Sequence, residues 1–203
     1  MSTMKEQVSD IGHQIAERVR ELRAARVLSL DALAAKSGVS RSMISLIERG
    51  ESSPTAVVLE KLAAALGVPL ASLFDIPRSE PTPSGPIARR ADQPQWHDPA
   101  SGYLRRNVSP SHVPQPMQIV EVCFPPRERV TFETPLRELR VYQQIWVLEG
   151  TIEITIGQEC HRLCEGDCLA MELNGCIIFH NPTRKPARYV VVVAGEAIGR
   201  TRR

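Results

Sequence analysis

Two short stretches of the 203-residue chain hold side chains whose types and spacing could do chemistry. In "SGVSRSMISLIERG", residues 37–50, Ser40, Arg41, Ser42 and Ser45 fall within about one and a half turns of a helix. The forked donors of a guanidinium match O6 and N7 of guanine, and hydroxyls bond base edges or phosphate oxygens. Such a group suits the reading of double-stranded DNA; the plain alternative for Arg41 is a solvated surface charge. In "CHRLCEGDC", residues 160–168, Cys160, His161, Cys164 and Cys168 have a spacing that invites metal or redox chemistry. Yet Cys160 and His161 point to opposite faces of a strand, and Gly166-Asp167 turns the chain before Cys168. Buried cysteine is also a common small apolar residue in a sheet, so packing is the expected role. His180, beside Asn181 at a strand end, is expected at a loop or rim, and Trp146 and Phe179 in the core or a pocket wall. No Ser-His-Asp, Cys-His or paired-carboxylate arrangement stands out, so no catalytic residue and no enzyme activity are expected.

The elements that must position these residues divide the chain in two. Ile15, Val19 and Leu22 recur at helical spacing, as do Leu33 and Ala34, Ile44 and Ile47, and Val58, Leu62 and Leu66. Twelve of the sixteen prolines lie between Pro77 and Pro135, where a long helix is excluded. After them the period becomes 2: Ile152, Ile154 and Ile156 alternate with Thr151, Glu153 and Thr155, and "ARYVVVVAG" reads as a buried strand. "PRSEPTPSGP" is the hinge. The expected organisation is a flexible terminus over 1–10, a helical domain over 11–76, a linker over 77–100 and a strand domain over 101–203. The composition, 42% apolar and 24% charged, suits a soluble globular protein. No apolar run reaches the roughly 18 residues of a membrane span and no signal peptide is evident, so a cytoplasmic protein with no membrane partner is expected. Five cysteines without a secretory signal point to reduced thiols. Net charge is +2, and residues 1–76 carry nine basic and nine acidic side chains, so any basic face must be local.

Helix ends are written into the first half. Ser29 is an expected N-cap with Asp31 in the first turn, and Gly38 closes that helix. Ser40 caps the next, which Gly50 ends; Ser53 is expected to cap a third, with Pro54 at its first position and Gly67 at its end. Two short helices joined through "SGVS" make a helix-turn-helix. With Leu33-Ala34, Ser37 to Ser40, Ile44-Ser45, Ile47-Glu48, Gly50, Pro54, Leu59, Leu62-Ala63 and Leu66 to Val68, residues 11–74 resemble the five-helix DNA-binding domain of the XRE family, of the Cro and phage-repressor type. The resemblance implies that Ser40, Arg41, Ser42 and Ser45 face the bases, and that Arg23 and Glu48 form an internal ion pair. Ser29 and Ser53, at helix N-termini, are expected to hold phosphates.

The second half resembles the cupin fold, an antiparallel jelly-roll barrel, through Gly150, the alternating isoleucines, Gly166-Asp167 and Asn181-Pro182. Cupins of that kind hold a metal, but here the glutamate position is Gln143. The histidine positions are Leu136 and Glu138, or Arg137 and Leu139, and Ile177, while Glu172 and Asn174 replace a proline and a glycine. These residues cannot supply the three or four ligands a transition metal needs, so neither metal nor cofactor is expected. Gln143, Ile145 and Val147 share one strand face, and Ile177 and Phe179 another; these are expected to line an effector pocket with Arg137 or Glu138 at its rim.

The expected protein is an all-α helix-turn-helix domain followed by an all-β cupin barrel. Its expected function is sequence-specific transcriptional regulation, as a repressor, by a homodimer on a pseudo-palindromic operator, with a small-molecule effector in the metal-free barrel. The rivals are a regulator whose barrel only dimerises and a metal-dependent cupin enzyme fused to a DNA-binding domain.

Overall fold

The computed structural model describes residues 3–74, 86–110, 116–134 and 139–197. The helical half comprises α1 (Thr3–Ala25), α2 (Leu30–Ser37), α3 (Arg41–Glu48) and α4 (Ala56–Leu66), followed by a 3-10 turn at Leu70–Phe74. The expected fifth helix is therefore this short turn, since Pro69 stops α4 from continuing. Helix α1 starts at Thr3, so the expected flexible terminus is helical from its third residue. A polar run without Gly or Pro offers no breaker to a helix propagating back from Ile11.

Caps fall largely where the sequence puts them. Ser29 is extended and accepts from the Ala32 amide, Ser40 accepts from the Met43 amide, and Gly38 and Gly67 close α2 and α4 in the left-handed conformation. The third cap is a correction. Thr55, not Ser53, caps α4, its hydroxyl accepting from the Val58 amide at 3.3 Å. The first amide of α4, on Ala56, instead donates to Asp98 Oδ1 at 2.9 Å. A carboxylate 42 residues away thus completes the helix start, which no local pattern could reveal.

The strands are β1 (Gln95–His97), β2 (Leu104–Asn107), β3 (Met117–Phe124), β4 (Arg129–Thr134), β5 (Leu139–Glu149), β6 (Thr151–Ile156), β7 (Glu159–Cys164), β8 (Cys168–Glu172), β9 (Gly175–His180) and β10 (Ala187–Ala197). They form a six-stranded sheet ordered β1-β2-β3-β10-β5-β8 and a four-stranded sheet ordered β4-β9-β6-β7, with antiparallel pairing throughout. Two antiparallel sheets whose sequential strands keep crossing between them make a jelly roll of the cupin type. Strand β1 lies inside the expected linker, because Trp96 is buried while Gln95 and His97 face outward, the alternation of a half-covered strand.

Three expected anchors hold the barrel. Gly150, at φ +82°, makes the turn from β5 to β6, and a side chain there would meet the Pro186 carbonyl oxygen at 2.9 Å. Asp167 Oδ2 accepts from the Cys164 amide at 2.8 Å in the β7–β8 turn. Asn181, fully buried, donates to the carbonyls of Phe124 and Lys185 and accepts from the amide and hydroxyl of Thr183.

The two halves share one core. Rings run from the helical half into the barrel as Phe74, Trp96, Tyr103, Phe124, Tyr189, Phe179 and Phe132, with successive centroids 5.6–6.5 Å apart. Those are separations at which offset and edge-to-face aromatic pairs attract.

Candidate functional site

Helix α3 presents its first turn outward. Ile44 and Ile47 anchor it in the core, whereas Arg41 and Ser42 are exposed and Ser45 is half-buried. The Arg41 guanidinium lies 3.2 Å from Asp31 Oδ1 of α2, with most of both side chains in water. An exposed pair of this kind is weak, so the arginine can exchange its partner for a base or phosphate at little cost. Ser42 and Ser40 exchange a hydrogen bond at 3.2 Å. Ser29 and Ser53 are exposed; Ser29 stands at the start of α2, while Ser53 precedes the start of α4 by three residues.

Arg49 adds a second cation to this face. It donates to Ser45 Oγ and, through Nε and Nη2, to both oxygens of Glu51 at 2.8 Å. That bidentate bond lowers the Glu51 pKa and raises that of Arg49. Its only mark in the sequence is the spacing of four from Ser45, which sets both on one helical face. Beneath this surface Arg23 grips Glu48 through Nε at 2.6 Å and Nη2 at 2.8 Å, and donates to the Leu28 carbonyl at 2.9 Å. This is the internal ion pair the XRE resemblance implies, joining α1 to the end of α3.

The barrel holds a cavity of about 50 Å³, room for more than one water. Gln143, Ile177 and Phe179 line it. Ile145 and Val147 share the inward face of β5 but are packed in the core and do not border the space. Arg137 and Glu138 lie outside the described residues. The cavity also takes walls absent from the expected set: Tyr103, just before β2, and Arg105 on it, with Glu60 and Leu70 of the helical half. Burial pushes the Tyr103 phenol pKa well above its usual value, with Arg105 opposing and Asp98 and Glu60 adding to the rise. The consecutive arginines of "YLRRN" are the signal that could have found Arg105, because on a strand one of such a pair must face inward.

Two other expectations are corrected. Cys160, Cys164, Cys168 and Cys176 are exposed and Cys123 half-buried, so packing does not explain the cysteines of "CHRLCEGDC". Strands β7 and β8 end their sheets. Among the described residues no three His, Cys, Asp or Glu side chains converge on a common point there. Trp146 is 51% exposed, since it alternates with the inward Ile145 and Val147. His180 ends β9 as expected, with Nδ1 3.0 Å from Glu153 Oε2.

A helix-turn-helix module with an exposed second helix, joined to a cupin-type barrel, defines the class. Residues 19–73 match the helix-turn-helix family. The chain is 34% identical over 79 residues to an uncharacterized transcriptional regulator in the ATPase CF(0) region of Rhodospirillum rubrum, covering 38% of this chain and 73% of that one. It is 39% identical over 77 residues to the HTH-type transcriptional regulator SutR of Escherichia coli, covering 38% of this chain and 43% of that one. It thus spans less than half the length of SutR. A solved HTH_3 family transcriptional regulator from Vibrio cholerae superposes with a TM-score of 0.72 at 26% identity, covering 92% of this chain and 97% of that one. This chain belongs to the helix-turn-helix family of transcriptional regulators, in its XRE type. Among the described residues no helix is long and apolar enough to cross a membrane.

Proposed function

We propose that the chain is a sequence-specific transcriptional repressor that binds a pseudo-palindromic operator as a homodimer and releases or engages it in response to a small molecule held in the barrel. The observation that carries this reading is the pairing of an exposed α3 with a cavity bordered by Gln143 and Ile177, the positions where the cupin resemblance would set metal ligands. Ser40, Arg41, Ser42 and Ser45 read bases, and Ser29 and Ser53 with Arg49 hold phosphates. An amide and an isoleucine leave a pocket suited to an organic ligand rather than a metal.

The partner in the dimer is a second copy seated on the outer face of the six-stranded sheet. Met117, Ile119, Tyr142 and Trp146 are all more than a third exposed there. Tyr142 and Trp146 stand beside Ala194 and Val190 of β10 in the strand register. Monomers rarely expose so contiguous an apolar face. Arg188, between Glu121 and Glu149, puts both charge signs at its rim, as a face that meets its own copy requires.

Selection of bound sequences from a random duplex pool by the full chain, followed by footprinting, tests the reading. Enrichment of an inverted repeat with half-sites about one DNA turn, 34–36 Å, apart is expected. A pool that enriches no sequence sinks the regulator, and a site without two-fold symmetry sinks the dimer.

A further inference from the structure

Each of the four helices is followed by a residue at positive φ. Gly38, Gly50 and Gly67, at +68°, +71° and +65°, follow α2, α3 and α4, and without a Cβ they adopt that conformation freely. After α1 the position belongs to Val27, at +55°. Its amide donates to the Ala24 carbonyl at 2.9 Å and the next amide, of Leu28, to the Arg23 carbonyl at 3.2 Å, a closure that glycine ordinarily makes. A β-branched residue suits it poorly, because its Cβ crowds the neighbouring carbonyl. Buried contacts can offset such strain, but Val27 is 92% exposed and has almost nothing to pack on. Uncompensated strain at an exposed apolar residue points to a contact outside the chain.

The surroundings of Val27 place that contact. Arg23, which grips Glu48 at the end of α3, also donates to the Leu28 carbonyl at 2.9 Å and so clamps the turn to α3. Ser29 caps α2 two residues after Val27, a span of about 7 Å at most. Asp31, in the first turn of α2, reaches Arg41 at the start of α3. Val27 therefore stands on the flank of the face formed by the starts of α2 and α3. Beside a phosphate held at a helix start the duplex presents deoxyribose, whose C–H groups are the apolar part of its backbone. An isopropyl group suits that surface. Because its χ1 is stiff and three hydrogen bonds fix the turn, little freedom is lost on contact. Resting on the DNA-binding reading above, we propose that Val27 is a DNA-contacting residue that packs on a deoxyribose next to the phosphate held by Ser29. The strained turn is kept because it aims the side chain there.

The test follows the graded series Val27→Gly, Val27→Ala and Val27→Ile in the full chain. Melting is measured by calorimetry, and binding is measured on the selected operator and on a scrambled duplex at several salt concentrations. Stability should rise as the side chain shrinks. Val27→Gly should melt about 2–4 °C above the parent, relief of the left-handed valine outweighing the greater freedom of glycine in the unfolded chain, and Val27→Ile at the parental temperature. Affinity should run the opposite way. Val27→Gly is expected to bind roughly three- to tenfold more weakly, the effect of removing one or two methyl-sized groups from apolar contact, with Val27→Ala between and Val27→Ile like the parent. The loss should be equal on both duplexes, since every nucleotide carries the same sugar. The slope of affinity against salt should not change, since an apolar contact displaces no counterion. A residue whose role is only structural would give an affinity that follows stability or ignores it. Unchanged or tighter binding by Val27→Gly overturns the proposal, and so does a Val27→Gly protein that melts below the parent, which removes the strain. A loss confined to the operator would assign the side chain to a base and also overturn it. A parent that binds neither duplex removes the DNA-binding reading itself.

Discussion

At the scale of single residues, the proposed DNA face turns on two cations with different attachments. Arg41 is tethered only to exposed Asp31, whereas Arg49 is held bidentately by Glu51. Arg41 is therefore the freer to reach a base edge. Arg41→Ala should lower affinity for the selected operator by about 1–3 kcal/mol and relax the preference at one base pair, while melting stays unchanged because the side chain buries little. Arg49→Ala should weaken all duplexes more evenly and reduce the salt dependence of binding by about one phosphate contact. Competition binding with operator and scrambled duplexes separates the two, and unchanged affinity for both in Arg41→Ala would refute its role. The Ser40 cap and the α2–α3 turn were legible in the sequence because a helix-turn-helix is local, its caps, glycines and apolar spacing lying within a few residues of one another, whereas the Arg23–Glu48 pair, 25 residues apart, was legible only through the XRE resemblance. Gln143, Ile177 and Phe179 were legible through strand alternation. Glu60 was not, because α4 borders the cavity only once two distant halves pack, and nothing in its local spacing announces it.

At the scale of elements, α4 shows where local signals stop. Ser53-Pro54 has the form of a helix start, yet the helix begins two residues later, since Thr55 takes the Val58 amide and Asp98 the Ala56 amide. Asp98 is 3% exposed, and its other oxygen accepts from both the amide and the hydroxyl of Ser101. Asp98→Ala would leave buried donors without acceptors at the junction, costing about 1–3 kcal/mol. In a chain of this size that lowers the melting midpoint by roughly 2–4 °C per kcal/mol. Asp98→Asn, which keeps one acceptor, should lose less. Calorimetry on the three proteins checks the order, and an Asp98→Ala protein as stable as the parent would show that the cap contributes nothing. The same contact explains why the expected linker ran too far: residues 95–98 look like a proline-flanked spacer, but Trp96 on Phe74 and Asp98 on Ala56 fasten the barrel to the helical half.

At the scale of the whole molecule, the proposed dimer rests on the outer face of the six-stranded sheet. Trp146→Glu places a charge beside Val190 in this apolar face and should convert the proposed dimer to a monomer without unfolding the chain, since the side chain already faces water. Sedimentation should show the loss of mass, and the operator footprint should shrink to one half-site. A variant that sediments like the parent would move the dimer contact elsewhere. The two tryptophans also make the molecule optically self-reporting. Trp96 is shut between Phe74 and Tyr103 at the seam, whereas Trp146 stands in solvent. Their emission should therefore differ in colour, blue for the first and red for the second. Changes in the blue band follow events between the helical half and the barrel, and changes in the red band follow the meeting of two copies. In one cuvette and without a label, communication within a chain and contact between chains could be watched as separate signals.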